Sequence, residues 1–422
     1  MFSIHNHPRS LAYRETLRIV STPSRQSVWR QSKSIQIESE LVETSRKTEN
    51  MKKTKLAAIY FPSWHVDARR DVHLGHDFTE WDLVRAGKPR FDGHYQPIVP
   101  ELGYTDETLE ENMRTSIQLA ADAGIDAFLW DWYWYEEADF LNRPLDETFL
   151  GMANPGIKFA LMWANHTWID VFPARVGTVG ETWWKGGVDG SQFTAMTDVV
   201  ISRYFSNPAY WRVDGAAWFT IFSLETFVEG IGGLDEAHDA LAEFRVRAQA
   251  AGAGGIHLNL LGGFDEFTPE QIAALGFNSI GNYGWGDHMP VDKGLTVDYE
   301  QWRLDAEARW ERDTRTQLVD FVPNATMGWD STARVHQDDE LVVSEWPYLP
   351  VVVGNTPHQF GLGVGHAIEF AERQPGTKVV IVNAWNEWTE GSYLEPDSRS
   401  GDQHLRALAA AVANARSASA DE

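Results

Sequence analysis

Two glutamates, Glu387 and Glu390, stand three residues apart in the stretch Asn383-Ala384-Trp385-Asn386-Glu387-Trp388-Thr389-Glu390-Gly391-Ser392-Tyr393-Leu394-Glu395-Pro396-Asp397. Paired carboxylates can divide the work of an acid and a base. Trp385 and Trp388 beside them offer flat apolar faces on which the C–H bonds of a sugar stack. A solvated acidic loop has little use for indoles. The pairing therefore points to a catalytic carbohydrate site.

The acids directly follow the apolar run Val379-Val380-Ile381-Val382, which reads as a buried parallel strand. Seven more such runs precede it: Ala57–Phe61, Ile125–Trp130, Ile157–Trp163, Ala217–Phe222, Ile256–Leu261, Asn278–Gly281 and Leu318–Met327. Helical patterns fall between them at Asp106–Ala123, Gln192–Phe205, Asp235–Ala250, Thr268–Leu275, Tyr299–Arg312 and His358–Arg373, and Gln403–Arg416 closes the chain as a helix. Eight strands alternating with helices predict an α/β fold, a single (β/α)8 TIM-type barrel with elaborated βα loops over residues 51–422. No Gly-x-Gly-x-x-Gly follows a strand, which weakens a dinucleotide-binding alternative.

In such a barrel, chemistry collects where strands end. Tyr60 and Trp64 follow the first strand, Trp130, Trp132 and Trp134 the second, and Asn165, His166 and Trp168 the third. Trp285 follows the sixth strand, and Trp329, Asp330 and Arg334 follow the seventh. The joint placement of aromatics and amides at one end of nearly every strand marks the set as sugar-facing, although any one ring alone would be read as packing.

Composition bounds the rest. The chain has 422 residues, 43% hydrophobic and 12% aromatic, enough for a large core, and its nineteen tryptophans exceed what that core requires. A formal charge of −25 argues against nucleic acid as partner. There is no cysteine, hence no disulfide and no thiolate site. No run has the length for membrane insertion. Met1–Asn50 is unlike the remainder: basic residues outnumber acidic ones and no apolar periodicity appears. It is expected to be a disordered or non-native extension ahead of a natural start at Met51. No signal peptide is recognisable, so a cytoplasmic location is expected.

From about Leu56 to about Leu405 the chain resembles the WbsX-type proteins, often called the glycosyltransferase WbsX family, which are related to glycoside hydrolase family 99. The matching blocks are Ala58-Ile59-Tyr60-Phe61-Pro62, Phe78-Thr79-Glu80-Trp81, Gly93-His94-Tyr95-Gln96-Pro97, Gly124-Ile125-Asp126-Ala127-Phe128 and Arg143-Pro144-Leu145-Asp146. Trp163-Ala164-Asn165, Gly328-Trp329-Asp330 with Thr332 and Arg334, and Asn383 through Asp397 follow in order. The resemblance implies a barrel acting on an oligosaccharide or polysaccharide. By it, Glu387 is the base that deprotonates the sugar's 2-hydroxyl, giving a 1,2-anhydro sugar and net retention, and Glu390 is the general acid, later the base. Trp385 and Trp388 would surround the acids, Asn386 and Tyr60 would orient them, and Asp330 and Arg334 would pair beside the sugar. His166 and Thr167 depart from the family's usual Glu-Asn after the third strand, and the Trp130–Trp134 tract is richer in tryptophan than usual. The family's substrate is therefore not transferred.

His65, His73, His76, His94 and His166 show no metal-ligand spacing, so no metal and no cofactor are expected, and His94 and His166 are candidate sugar ligands. Two further classes stay open. A glycosyltransferase would need a nucleotide-sugar site, but the chain has no Asp-x-Asp and no phosphate-cradling glycine loop. A glycan-binding protein would keep the aromatics without needing paired acids.

Overall fold

Each apolar run becomes a strand and stops where polar or glycine residues begin. A computed structural model of the chain describes residues 53–136 and 138–418. The expectation for Met1–Asn50 lies outside the described residues. The strands are β1 (Lys55–Tyr60), β2 (Ala127–Tyr135), β3 (Lys158–Trp163), β4 (Ala216–Ile221), β5 (Ile256–Leu260), β6 (Ser279–Ile280), β7 (Asp320–Phe321 with Asn324–Thr326) and β8 (Val379–Asn383). Each pairs in parallel with the next, and β8 returns to β1 with Ile381 opposite Ala57. The ring closes through an interrupted strand. Asp320–Phe321 pairs with β6 and Asn324–Thr326 with β8. Pro323 separates the halves because it has no N–H for a ladder, while its carbonyl still accepts from Ile381 N–H at 3.1 Å. The architecture is the expected (β/α)8 barrel.

The helices are α1 (Glu110–Asp122), α2 (Gly190–Val199), α3 (Leu234–Ala250), α4 (Pro269–Ala274), α5 (Tyr299–Thr316), α6 (Pro357–Arg373) and α7 (Gln403–Ala418). Local chemistry fixes their ends. Asp189 and Gln192 form a capping box on α2, and Thr268 and Gln271 form one on α4. Gly124 leaves α1 at φ +92°, where a Cβ would also press on Val412 of α7 at 3.1 Å. The expected helix Gln192–Phe205 continues past Val199 only as a π-helical turn, Val200–Phe205. The short helices Ala68–Leu74, Trp81–Ala86 and Leu224–Ile231 are additions that the periodicity did not reveal, being too brief to show a face. Among the described residues no helix is long and apolar enough to cross a membrane.

Two amides stitch the upper rim. Asn165, just past β3, accepts from Ser223 N–H and donates to Ser223 C=O, both at 2.8 Å. Asn386 does the same after β8, accepting from Phe61 N–H at 2.7 Å and donating to Phe61 C=O at 3.0 Å. Each replaces a ladder bond where strands splay into loops, so that buried backbone groups keep partners. Asn165 was expected to be a sugar ligand and Asn386 to orient the carboxylates. Both are instead spent on backbone.

We expect Asn165→Ala to lower unfolding free energy by about 2–4 kcal/mol, from two lost bonds and two stranded backbone groups. Urea denaturation of the folded variant checks this. Unchanged stability with a raised KM would return Asn165 to the role of ligand.

Candidate active site

The loop carrying both glutamates can take only one shape. Asn386–Glu387 pairs antiparallel with Ser392–Tyr393, and a 3-10 turn, Trp388–Glu390, lies between them. Gly391 closes that turn at φ +64°, where a Cβ would stand 2.7 Å from Asp330 Cβ. Glycine alone tolerates both conditions. The close approach lets Asp330 N–H donate to the Glu390 carbonyl at 2.6 Å, locking the β8 loop to the β7 loop.

Arg334, in the turn after β7, gathers three carboxylates. Its Nη2 lies 2.9 Å from Glu387 Oε1, its Nη1 3.2 Å from Glu80 Oε2, and its Nε 3.5 Å from Glu390 Oε1. Thr389 Oγ1 bridges two of them, 2.7 Å from Glu80 Oε2 and 3.1 Å from Glu387 Oε1. Ser63 donates to the other Glu80 oxygen at 3.0 Å. Trp346 Nε1 donates to Glu390 Oε1 at 2.8 Å. The three acids are thus not equivalent. Both oxygens of Glu80 are occupied, which makes it a fixed counter-ion. Glu387 and Glu390 each keep Oε2 without a partner among the described residues.

Asp131, on β2, joins the cluster. It is 5% exposed and forms no hydrogen bond among the described residues. Burial, and then the charge of Glu390, push its carboxyl well above the usual range. Burial pushes Glu387 well above the usual range too, followed by repulsion from Glu390, with Arg334 opposing. Burial likewise raises Glu390, against Arg334 and the Trp346 hydrogen bond. One guanidinium cannot neutralise four buried carboxyls, so protons stay on some of them. If Glu390 holds one, its repulsion of Glu387 vanishes, and the shorter contact to Arg334 then works against burial to favour the charged form of Glu387.

Aromatic rings enclose the cluster. Arg334 lies 5.7 Å from the Phe61 ring, 5.8 Å from Phe172 and 5.7 Å from Trp346. His166 stacks on Trp168 at 5.6 Å and meets Tyr133 edge-on at 5.7 Å. Burial pushes the His166 imidazole down to about 4, so it is neutral near pH 7. Tyr133 and Tyr283 are held above the phenol range by burial and by the surrounding carboxylates, so both remain hydrogen-bond donors.

The structure redistributes the residues expected to face the sugar. Glu387, Glu390, Arg334, His166 and Trp168 come together. Trp130, Trp132 and Trp134 alternate onto the opposite face of β2: Trp130 packs 4.0 Å from Tyr60 and 5.9 Å from Phe149, and Trp132 Nε1 donates to Tyr204. The same alternation brings Asp131 and Tyr133 into the site. Tyr60 does not orient the pair, since its hydroxyl donates to Glu107 at 2.9 Å. Trp64 packs on Trp81 at 4.1 Å. Trp285 is buried against Tyr299 and Trp302. Trp329 lies against Gly286. Trp385 packs on Phe128, and Trp388 stacks on Tyr393 at 3.9 Å with its Nε1 on Glu395, so neither surrounds the acids.

Asp330 does not pair with Arg334. It accepts from His94 Nε2 and Gln96 Nε2, both at 2.8 Å, and from Thr332. Burial opposes its charge, but these bonds outweigh burial and hold its carboxyl below the ordinary value. His94 Nδ1 accepts from Arg90 N–H, which places the ring proton on Nε2, toward Asp330. Both residues brace the loop. Glu80 was visible in the block Phe78–Trp81, and Asp131 follows from strand alternation. Nothing in the pattern singled out Trp346.

The profile of the family described as Glycosyltransferase WbsX matches residues 56–408. The chain belongs to that family. WbsX relatives include a protein of Xanthomonas campestris pv. campestris strain B100, described as uncharacterized protein WxcX, 27% identical over 372 residues that cover 85% of this chain and 50% of that protein. The chain thus spans about half the length of the curated relatives it matches. The fold is similar to a family 99 endo-α-mannosidase from Bacteroides thetaiotaomicron, with a TM-score of 0.54 and 15% identity over 86% of this chain and 98% of that one. It is also similar to a glycoside hydrolase-like protein, with a TM-score of 0.55 and 14% identity over 86% and 94%. At such identities these two likenesses establish shared architecture.

The raised Asp131 carboxyl gives a pH test. A folded-state value above the unfolded one contributes stability only at low pH, and that contribution is lost as pH rises. Asp131→Asn should therefore gain melting temperature relative to the parent as pH rises above about 4. Parallel curves would contradict a protonated Asp131.

Proposed function

We propose that this chain is a retaining glycoside hydrolase that cleaves an α-linked glycan, with Glu387 as base and Glu390 as acid. The observation that carries this reading is the pair of open oxygens. Glu387 and Glu390 share one buried guanidinium, yet each keeps Oε2 free at the carboxyl end of the barrel. Carboxylates gathered on one cation fit the closer glycosidase spacing, roughly 5 Å, better than the roughly 6.5–9.5 Å that leaves room for an inverting water.

In the first step Glu387 takes the proton of the sugar's 2-hydroxyl, and that oxygen closes on the anomeric carbon. Glu390 Oε2 meanwhile protonates the departing glycosidic oxygen. Water then opens the 1,2-anhydro ring, giving its proton to Glu390 while Glu387 returns one to the 2-oxygen. Both carboxyls end as they began, and the anomeric configuration is retained. Tyr133, Tyr283 and neutral His166 supply uncharged groups to sugar hydroxyls, and buried Trp168 supports the His166 ring. The likeness to an endo-α-mannosidase makes α-mannan the first member of a glycan panel to test. The family description favours a second reading, sugar transfer from an activated donor. Against it, Arg334 is already shared by three carboxylates and is poorly placed to hold a diphosphate. Mass spectrometry of the panel separates the readings. Shorter products without added donor support hydrolysis, and products only with a nucleotide sugar support transfer.

Glu390→Gln should lose roughly 100-fold or more on unactivated glycans but little on substrates whose leaving group needs no protonation. Equal losses on both would remove Glu390 from the role of acid. For Glu387, substrates lacking a free 2-hydroxyl should not turn over even with an activated leaving group. A covalent sugar trapped on Glu387 by a fluorinated substrate would overturn the anhydro-sugar route.

A further inference from the structure

Trp346 stands apart from every other aromatic among the described residues. Its relative exposure is 41%, and among the described residues it is the one large aromatic side chain open to this extent. Glu390 and Arg334, which it touches, are 7% and 5% exposed. One part of the indole covers the site: Nε1 donates to Glu390 Oε1 at 2.8 Å, and the ring lies 5.7 Å from the Arg334 guanidinium. The remainder faces solvent. The segment is pinned rather than loose, since Ser331 donates to Pro347 C=O at 2.7 Å and Ser344 N–H to Tyr348 C=O at 2.9 Å. Ser331 belongs to the same turn as Arg334, so indole and guanidinium move as one unit.

An indole left 41% exposed forgoes part of the roughly 1.5–3 kcal/mol that full burial of a large apolar side chain contributes. Retaining one on an anchored loop, hydrogen-bonded to a catalytic candidate, is the arrangement of a surface that a ligand covers. Its position identifies which part of the ligand. Oε1 of Glu390 accepts from Trp346 and faces Arg334 Nε at 3.5 Å, which leaves Oε2 to carry the proton for the departing oxygen. The sugar that leaves on that oxygen therefore passes beside the indole.

We propose that Trp346 is the stacking platform for the sugar on the leaving-group side of the cleft, and that its N–H aims Glu390 by occupying Oε1. This rests on the reading of Glu390 as acid. The ring's two contributions separate in two variants. Trp346→Phe keeps a flat ring but removes the N–H. Trp346→Ala removes both.

The test compares the oligosaccharide cleaved in the panel with an aryl glycoside of the same sugar, which carries no sugar on the leaving side. Trp346→Ala should raise KM for the oligosaccharide about 10-fold, as loss of one stacked face implies, and raise it less than about 3-fold for the aryl glycoside. Trp346→Phe should restore most of the oligosaccharide KM. Because the lost N–H had favoured the charged form of Glu390, the alkaline limb of its pH–rate profile should move up by roughly half a unit. The side chain is half-exposed, so melting temperatures should stay near the parent's and serve as the folding control. Equal KM changes on both substrates would overturn the platform, and an unmoved alkaline limb in Trp346→Phe would overturn the aiming role. If Glu390→Gln keeps full activity, or no panel member is cleaved, the reading of the site itself fails. An inactive Glu390→Gln with unaltered Trp346 variants defeats this inference alone.

Discussion

A single buried guanidinium is the counter-charge on which the upper half of this barrel depends. Arg334 is 5% exposed and meets Glu80, Glu387 and Glu390, which come from the loops after β1 and β8. Breaking a buried pair by removing one partner costs roughly 3–5 kcal/mol, because the other charge is left uncompensated. Here one cation serves three partners, so Arg334 ties three loops together. Burial raises the Glu387 and Glu390 carboxyls and this one cation only partly offsets it, so the contact that holds the loops also sets the charge of their acids. Cohesion and acid–base chemistry therefore have one cause.

Polar groups around the cluster divide into those that are used up and those that are not. Glu80 fills both oxygens, Asp330 is saturated by His94, Gln96 and Thr332, and Asn165 and Asn386 close backbone gaps. These groups hold geometry. Glu387, Glu390 and Asp131 keep oxygens without partners among the described residues, and Tyr133, Tyr283 and His166 stay uncharged beside them. A buried carboxyl oxygen without a partner, as at Asp131 Oδ1, is destabilising. Together with Glu387 and Glu390 it lies at the carboxyl end of the strands, the end where the loops of such barrels carry chemistry.

The barrel was legible because its signal is repeated. Buried parallel strands are continuous apolar runs, and even the broken β7 reads as one run, Leu318–Met327, interrupted by Pro323. Glu387 and Glu390 were legible because they sit together at a strand end. The direction of the tryptophans was not. Trp130, Trp132 and Trp134 share one face of β2 by the period of two, and which face looks inward depends on what packs outside, Phe149 and Tyr204. Abundance was mistaken for exposure: a large ring is often the cheapest way to fill the space between strand and helix. Arg334 was paired with Asp330 because they are neighbours in sequence, whereas its partners lie 254, 53 and 56 positions away, at Glu80, Glu387 and Glu390. Long-range charge pairing leaves no local trace, and for the same reason Trp346 gave none.

The central claim is that Glu390 carries a proton at neutral pH while Glu387 beside it is charged. Infrared difference spectroscopy of the carboxyl C=O stretch near pH 7, in an Asp131→Asn background that removes the strongly raised acid on β2, reads this directly. Subtracting Glu390→Gln from that background should reveal one protonated carboxyl band, and subtracting Glu387→Gln should reveal none. A carboxylate signal lost in Glu390→Gln, with no protonated band, would contradict the account.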